Sequence, residues 1–413
     1  MERICSIIKS EAQKSSHLLY ASDHRIKGWL IAMASIIKAY KFRILNPSKA
    51  VQDRLEQTLF LCRDLYNAAL SERKQAYSLN KISINYQHQQ NQLPEIKRTN
   101  PEYKEAYSQV LQNVLKRVDF AFQGFFQRIK RKEKAGYPRF RGANRYDSFT
   151  YPQSGFSLTG NKLTLSKIGT VKLRLSRKVQ GKLKTLTIKN ECGKWFAVFT
   201  VETSIEPLPE TNKVVGIDAG ISSFLTLSDG TEVENPRFYQ TLQKQLRVAQ
   251  RNVSRKKKGG KNRKKAVLKL RKIHQKIRNC RLDFHHKPAR ILVTNFDFIA
   301  IEDLRVKNML KEHHLAKAIA DVSWSSFYSI LESKAEWADR KFVKVNPKNT
   351  SQICSRCGEL VKKGLSVRVH HCHNCNLKIC RDTNAAINIL RSGLDRLALN
   401  LPLGVFAKES PLF

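Results

Sequence analysis

Alternating apolar and polar residues predict β-strands at two places in the first half of the chain. In residues 39–45 the apolar side chains of Tyr40, Phe42 and Ile44 occupy every second position, as on one face of a strand, and turn residues follow. The period of two returns across residues 151–202, where glycine-containing turn signals separate successive runs. We predict one strand that is followed, later in the chain, by a β-meander or a small barrel.

Apolar residues at helical spacing occupy much of the segment between these strands. Apolar residues recur every three or four positions from Leu55 to Leu70 and again from Leu111 to Ile129, which predicts two amphipathic helices. A polar stretch over residues 80–101 joins them. We interpret the apolar stripes as core and the charged outer faces as candidates for nucleic-acid contact.

The net charge of the chain limits the functional classes to which it can belong. The chain has 413 residues, with 76 Lys and Arg against 34 Asp and Glu, and a formal net charge of +42. Repulsion on this scale is tolerated mainly when a polyanion neutralises it, so nucleic acid is the first partner to expect and a neutral metabolic enzyme is disfavoured. The longest apolar stretch, residues 29–37, is too short to span a membrane, and no small-residue cleavage site follows it. We therefore expect no membrane partner.

Basic residues are densest in segment 251–290, which carries 17 Lys and Arg against one acid. An apolar stripe at helical spacing persists there, and Gly259 and Gly260 separate two predicted helices, so we predict a basic helical hairpin. A second mixture of arginines and aromatic rings, at residues 136–142, suits base stacking and phosphate contact. The candidate nucleic-acid contacts are Arg255, Lys256, Lys257, Lys258, Lys261, Arg263, Lys264, Lys265, Tyr137, Arg139 and Arg141.

Three carboxylates are candidates for chemistry because each lies at the end of an apolar element. Asp218 ends one apolar strand pattern, Glu302 ends another, and Asp382 lies in the first turn of an apolar helix. An acid there is costly unless it is solvated, capped or bound to a cation. Taken singly, each fits an ordinary turn or capping position. Two strands that deliver carboxylates to one sheet edge can instead form a divalent-metal site for phosphoryl chemistry.

Cysteine spacing predicts a metal site. Cys354 and Cys357 form one CxxC pair, and Cys372 and Cys375 form another after an intervening 14 residues. Paired CxxC knuckles place four thiolates around one ion, as in a tetrahedral zinc ribbon. Because four cysteines complete the shell, we expect the Zn²⁺ to be structural. The remaining cysteines and the uneven distribution indicate a reducing compartment.

Four motifs in this order carry a family resemblance: V-V-G-I-D-A-G at 214–220, I-A-I-E-D-L at 299–304, S-Q-I-C-S-R-C-G at 351–358 and R-D-T-N-A-A-I-N at 381–388. Together they resemble the OrfB or TnpB proteins of bacterial insertion sequences, which are related to type V CRISPR effectors and often described as transposases. The resemblance runs from about residue 36 to about residue 390.

The resemblance implies an α/β fold class: an RNase H-like (RuvC) nuclease domain with a four-cysteine zinc ribbon, preceded by a wedge β-barrel with an inserted helical recognition domain. We divide the chain accordingly. The expected parts are an N-terminal extension of unknown role (1–35, with Met33 as an alternative start), the wedge β-barrel (36–50 and 137–210), the helical recognition domain (51–136), the RuvC-like nuclease domain (211–350 and 377–395), the zinc ribbon (351–376) and a C-terminal tail (396–413).

The resemblance also implies an RNA-guided DNA endonuclease. Asp218, Glu302 and Asp382 would be its catalytic ligands, with Asp218 and Asp382 on one Mg²⁺ ion and Glu302 on a second. The expected partners are a guide RNA from the transposon end and double-stranded target DNA with a short flanking motif. The expected compartment is the cytoplasm of a prokaryotic cell, in association with the nucleoid.

Several positions depart from the family's usual pattern, among them Pro288 and Asn376. Pro288 lies where the second helix of the basic hairpin should continue, which predicts a kink or an end near Lys287. Asn376 stands where a glycine usually follows the second knuckle. Neither change touches the three carboxylates.

Three other functions fit part of the pattern. A nuclease-dead RNA-guided DNA-binding protein would keep the basic surfaces, but the intact acids disfavour it. A strand-transfer transposase also uses carboxylates and metal, and it differs in its product, which is a joined transposon end. A structural RNA-binding protein explains charge and zinc but leaves the acids unused.

Overall fold

The computed structural model describes residues 35–143, 145–311, 314–364 and 366–398. The expected N-terminal extension and most of the expected C-terminal tail lie outside these residues. The described chain divides into two compact units, residues 35–204 and residues 205–398. In the part of the chain that is described, no helix is long and apolar enough to cross a membrane.

The first unit is built on an antiparallel sheet of seven strands. The strands are β1 (Ser35–Leu45), β2 (Ser148–Tyr151), β3 (Phe156–Thr159), β4 (Lys162–Leu165), β5 (Gly169–Arg174), β6 (Lys182–Glu191) and β7 (Lys194–Ser204), in the order β2-β6-β7-β1-β5-β4-β3. Alternate residues such as Phe42, Phe149 and Phe199 are buried on one face. The predicted strand and the predicted meander are confirmed, because period-two alternation buries one face of each strand.

A helical insert separates β1 from β2. Its helices are α1 (Lys49–Asn80), α2 (Tyr86–Asn91), α3 (Leu93–Thr99) and α4 (Ser108–Lys130), with a 3-10 turn at Pro101–Glu105. Ser48 caps α1 by accepting a hydrogen bond from the Val51 N–H, and Lys81 ends it in the left-handed conformation. The long helices α1 and α4 confirm the predicted pair, and their stripes pack together around residues such as Leu65 and Leu111.

The second unit contains a mixed sheet of five strands. The strands are β8 (Val214–Asp218), β9 (Ser223–Leu227), β10 (Glu232–Glu234), β11 (Phe298–Glu302) and β12 (Lys341–Val345), in the order β10-β9-β8-β11-β12. Strands β8, β11 and β12 are parallel, whereas β9 is antiparallel to β8. The neighbouring strands β8 and β11 are almost entirely apolar, as expected for strands covered on both faces.

The second unit also contains several helices. They are α5 (Phe238–Ser254), α6 (Lys261–Asn295), α7 (Val306–Met309), α8 (Ala316–Val322), α9 (Trp324–Trp337) and α10 (Arg381–Ala398). Helix α10 approaches the sheet so closely that a Cβ at Gly216 of β8 would overlap the carbonyl oxygen of Ala386. A Cβ at Gly393 would lie 2.6 Å from the Cβ of Ala300. Glycine is therefore required at both contacts.

Helix α6 corrects one of the two outcomes predicted at Pro288, the helix end. The helix does not end near Lys287 but continues through Pro288 to Asn295. A proline inside a helix costs about 3 kcal/mol, but the last turns bury Ala289, Leu292 and Val293 in the core of the second unit. The packing of these side chains outweighs the lost hydrogen bond.

The cysteine segment lies between β12 and α10. It contains a two-stranded antiparallel sheet of β13 (Val369–His371) and β14 (Lys378–Cys380). The backbone of Arg381 continues this pairing, since its N–H donates to the Arg368 carbonyl at 2.8 Å. Helix α10 therefore begins directly at the end of β14.

Candidate active site

Asp218 and Glu302 lie side by side at the carboxyl ends of two neighbouring parallel strands. Ile217 of β8 is the register partner of Ile301 of β11, so the next residue of each strand is an acid. Parallel strands bring their carboxyl ends to the same sheet edge, which is where sites form in α/β sheets. The two apolar runs thus deliver both carboxylates to one place.

Asp382 reaches the same region from α10. It lies in the first turn of that helix, and the helix packs on β8 where Gly216 meets Ala386. Its charge acts on Asp218, whose pKa it raises. The three carboxylates are farther apart than the ligands of a bound ion. Among the described residues, their oxygen atoms do not form a group in which all lie within 4.8 Å of one another.

Burial raises the pKa of two of these acids, and repulsion from the other acids adds to the rise for Asp218. The pKa of Asp218 rises to about 8, first because the carboxyl is desolvated and then because Glu302 and Asp382 lie nearby, while Arg381 opposes the rise. Burial also raises the pKa of Glu302, against a hydrogen bond from the Thr350 hydroxyl to Glu302 Oε1 at 2.5 Å. Within the described residues, neither acid forms an ion pair with Lys, Arg or His.

Asp382 differs from the other two acids because arginines surround it. Arg381 contacts Asp382 Oδ1 at 2.9 Å, and Arg368, the residue before β13, lies 3.9 Å from Oδ2. Arg368 also donates to the Ser222 hydroxyl at 3.4 Å, in the loop after β8. Sequence reasoning missed Arg368, since it is distant from Asp382 along the chain and only the β13–β14 pairing brings them together.

The four predicted cysteines form one cluster. The Sγ atoms of Cys354, Cys357, Cys372 and Cys375 all lie within 4.8 Å of one another, the one such group of potential ligands in the described residues. The Sγ atoms of Cys354 and Cys375 are 3.5 Å apart, near the ~3.8 Å of a tetrahedron with ~2.3 Å Zn–S bonds. The backbone N–H of Glu359 lowers the pKa of Cys357, which favours the thiolate that binds metal.

Asn376 occupies a position that needs a left-handed backbone. The residue after the first knuckle, Gly358, has φ +80°, and Asn376 after the second has φ 55°. Asparagine tolerates this region better than other residues with a side chain. The departure from the family's usual glycine therefore keeps the shape of the knuckle.

Two asparagines of α10 hold the cysteine segment in place. Asn384 accepts from the Ser355 N–H at 2.9 Å, and Asn388 donates to the carbonyl oxygens of Thr350 and Ile353 at 2.8 and 2.7 Å. Because the Thr350 hydroxyl binds Glu302, these contacts link α10 and the start of the cysteine segment to the sheet edge that carries Asp218 and Glu302, which we call the carboxylate edge. The sequence signal for this link was the repeated asparagine in the motif at 381–388.

The predicted basic hairpin is present as α5 and α6. Seven of its eight candidate residues are exposed, and among the described residues none of these seven forms an ion pair with a carboxylate. Arg263 differs, because its guanidinium donates to the Val253 and Lys256 carbonyls at 2.5 and 3.0 Å. It caps the end of α5 and fixes the turn between the helices.

Loop residues 136–142 lie against the helical insert of the first unit. Tyr137 packs edge-on to Phe122 and Phe125, with ring centroids 5.6 and 5.3 Å away. The Arg141 guanidinium lies over the Tyr66 ring at 5.6 Å, while Arg139 is exposed. Tyr137 and Arg141 thus contact protein rings on one side and keep exposed surface on the other.

Comparison with known proteins identifies the family. A family model described as a probable transposase matches residues 197–313, and one described as a Cas12f1-like TNB domain matches residues 324–389. A putative RNA-guided DNA endonuclease of Streptomyces pristinaespiralis is 35% identical over 373 residues, which cover 88% of this chain and 90% of the relative. The chain belongs to the OrfB/TnpB family.

Other members extend the match. The putative RNA-guided DNA endonuclease InsQ of Escherichia coli (strain K12) is 32% identical, and the match covers 86% of this chain and 92% of the relative. The CRISPR-associated endodeoxyribonuclease Cas12f1 of Sulfoacidibacillus thermotolerans is 23% identical over 50% of this chain and 52% of the relative. A model described as a helix-turn-helix domain matches residues 33–81. In this member of the family, residues 35–80 form strand β1 and one uninterrupted helix instead.

Proposed function

We propose that this chain is an RNA-guided DNA endonuclease that hydrolyses phosphodiester bonds at a metal-dependent site of Asp218, Glu302 and Asp382. One observation carries the proposal: two adjacent parallel strands and the first turn of α10 bring three acids to one sheet edge, where Asp218 and Glu302 are desolvated and lack an ion pair in the described chain. The names of the relatives, both putative RNA-guided DNA endonucleases, support the reaction and the substrates.

The donor set fits a hard divalent cation. Carboxylate oxygens are the ligands that Mg²⁺ prefers. The raised pKa of Asp218 reflects burial first and nearby negative charge second, and a bound cation would offset both. Asp218 and Asp382 would hold one Mg²⁺ ion and Glu302 a second. When bound, such ions activate water and stabilise the leaving 3′ oxygen.

The chain's own residues would orient this site. Thr350 fixes one oxygen of Glu302 by its hydrogen bond, which leaves the other oxygen for a ligand. Arg381 and Arg368 share the Asp382 carboxylate, and they would balance the negative charge of a bound phosphodiester. The close packing of α10 on Gly216 keeps Asp382 at the sheet edge.

We further propose that the cysteine cluster binds structural Zn²⁺. All four ligand positions would be filled by thiolates, so this ion would have no open site for chemistry. Protein contacts would connect this ion to the carboxylates. Thr350 precedes the first knuckle and binds Glu302, and Arg368 follows that knuckle and lies near Asp382. Removal of the ion is expected to disorder both contacts.

The remaining assignments follow the family. The second unit would contain the RuvC-like domain, the sheet of the first unit the wedge barrel, and its helical insert the recognition domain. The exposed residues of the basic hairpin, together with Tyr137, Arg139 and Arg141, would contact the guide RNA and the target duplex through the backbone, while base pairing selects the sequence. Arg263 would act by fixing the hairpin turn.

Cleavage by the purified complex tests this function. The chain is co-expressed with its native transposon end, bound RNA is recovered and sequenced, and the complex is incubated with Mg²⁺ and guide-matched duplexes that carry a randomised flank. We expect double-strand breaks that require the RNA, the flank and Mg²⁺. Asp218→Ala should abolish them, whereas Asp229→Ala, a change of an exposed turn acid after β9, should not.

The products separate the alternatives. Guide-dependent binding without cleavage by the wild type would identify a nuclease-dead binding protein. Joined transposon ends would identify a strand-transfer transposase. RNA binding with no DNA target would leave a structural RNA-binding protein.

A further inference from the structure

Tyr328 carries a buried hydroxyl that has no hydrogen-bond partner among the described residues. The residue lies in the second turn of α9 and is only 8% exposed. A buried polar group without a partner costs about 1 to 3 kcal/mol, so a protein rarely keeps a tyrosine where phenylalanine would pack as well. The hydroxyl therefore calls for a ligand.

The topology places this hydroxyl at the carboxylate edge. Helix α9 lies between β11 and β12 in the chain, and because those strands are parallel it runs back from their carboxyl ends. Glu332 of α9 forms an ion pair with Lys344 at 2.8 Å, and Lys344 is the register partner of Ile301. Tyr328 is one helical turn earlier on the same face, which sets it toward Glu302.

Electrostatics agree with this placement. Burial raises the pKa of Tyr328, and Glu302, Asp218 and Asp303 raise it further. The phenol therefore stays protonated at neutral pH and acts as a hydrogen-bond donor. With so little exposed surface, it can reach a water-sized group below the surface but not a polynucleotide backbone.

We propose that Tyr328 is a positioning residue whose hydroxyl donates a hydrogen bond to a water molecule held at the divalent-cation site of Asp218 and Glu302. The inference rests on the proposed function and adds a residue to that site. Through this bond Tyr328 would orient a group that the cation holds, as outer contacts commonly do around metal sites.

Mn²⁺ binding to the full chain, measured by calorimetry, tests the inference without cleavage. Tyr328→Phe removes only the hydroxyl, and we expect it to weaken Mn²⁺ binding about tenfold. The metal-free variant should melt no lower than the wild type, because the lost hydroxyl had no partner. Tyr146→Phe, at a buried tyrosine of the first unit, is the matched control and should bind Mn²⁺ like the wild type.

Equal Mn²⁺ affinity of Tyr328→Phe and the wild type would overturn the inference alone. So would a lower melting temperature of metal-free Tyr328→Phe with unchanged affinity, since that result assigns Tyr328 to packing only. A wild type that neither binds Mn²⁺ nor cleaves would overturn the proposed function as well.

Discussion

Two buried glutamates, one in each of the two large sheets, differ in whether a cationic side chain pairs with them. Glu191 ends β6 of the first unit with 8% of its surface exposed, and Glu302 ends β11 of the second with 7% exposed. Lys41 lies 2.8 Å and Lys189 3.4 Å from the Glu191 carboxylate. Glu302 receives one hydrogen bond from Thr350 and, among the described residues, no ion pair. Similar burial thus comes with a counter-charge in one sheet and without it in the other.

If the proposed function is right, this difference separates a structural acid, Glu191, from a functional one, Glu302. Burying a carboxylate is costly unless a cation or several hydrogen bonds compensate it. The first sheet supplies the cations from its own strands. The second sheet instead groups Glu302 with Asp218 and Asp382, which increases the cost. The proposed divalent cation would offset this cost, and functional sites commonly lower stability in this way.

Neutralising the acids one at a time should produce the largest contrast. Asp218→Asn or Glu302→Gln is expected to reduce guided cleavage about a thousandfold or more, because metal ligation contributes several kcal/mol to such reactions. The same variants should raise the melting temperature of the metal-free protein, because each removes a desolvated acid that lacks an ion-pair partner. Cleavage assays and thermal unfolding check the two effects.

Glu191→Gln is the matched control. It should leave Mg²⁺-dependent cleavage unchanged and lower the free energy of unfolding by about 0.5 to 1 kcal/mol, the usual contribution of a partly exposed ion pair. The comparison fails if Glu191→Gln stabilises the protein or if Asp218→Asn destabilises the metal-free form.

The pH dependence of stability gives the second test. The pKa of Asp218 is about 8 in the folded chain against an ordinary value of 3.8, so its contribution to stability is present below about pH 4 and is lost as pH rises toward 8. Between pH 5 and pH 8 the metal-free wild type should lose about 4 kcal/mol relative to Asp218→Asn. Denaturant unfolding at each pH measures this difference.

Mg²⁺ provides the control for that experiment. Because a bound cation favours the ionised carboxylates, Mg²⁺ should flatten the decline in stability of the wild type while leaving Asp218→Asn nearly unchanged. Parallel stability curves for the two metal-free proteins would contradict the assignment of the raised pKa to Asp218.

The sequence predicted the placement of those candidate site residues that depend on neighbouring residues. Asp218 and Glu302 follow apolar runs directly, so the ends of β8 and β11 could be placed before the fold was known. The cysteine knuckles were equally local. Thr350, Tyr328 and Arg368 were not predictable. Thr350 and Arg368 contact a carboxylate, and Tyr328 comes within electrostatic range of two, only after β12, α9 and β13 have packed.

Helix α6 shows why a strong local rule can fail. Proline at 288 predicted a kink or a helix end, and the end does not occur, because the rule covers one lost hydrogen bond and not the burial of the following turns. His285, just before it, is buried with its ring stacked on Phe224 at a centroid distance of 5.4 Å. The contacts on both sides of Pro288 come from distant parts of the chain, and no window of local sequence contains them.

Removing the partner of each glutamate is the finest test of the comparison, with the smallest expected effects. Lys41→Met leaves Glu191 with Lys189, so we expect a loss of about 0.5 kcal/mol in stability and no change in Mn²⁺ affinity. Thr350→Val removes the hydrogen bond that holds Glu302 and should weaken Mn²⁺ binding severalfold to tenfold. Calorimetry and denaturant unfolding on both variants separate the two effects. If Thr350→Val changed only stability and Lys41→Met changed Mn²⁺ binding, the division between a structural and a functional glutamate would be wrong, because the partner of each acid is what distinguishes them.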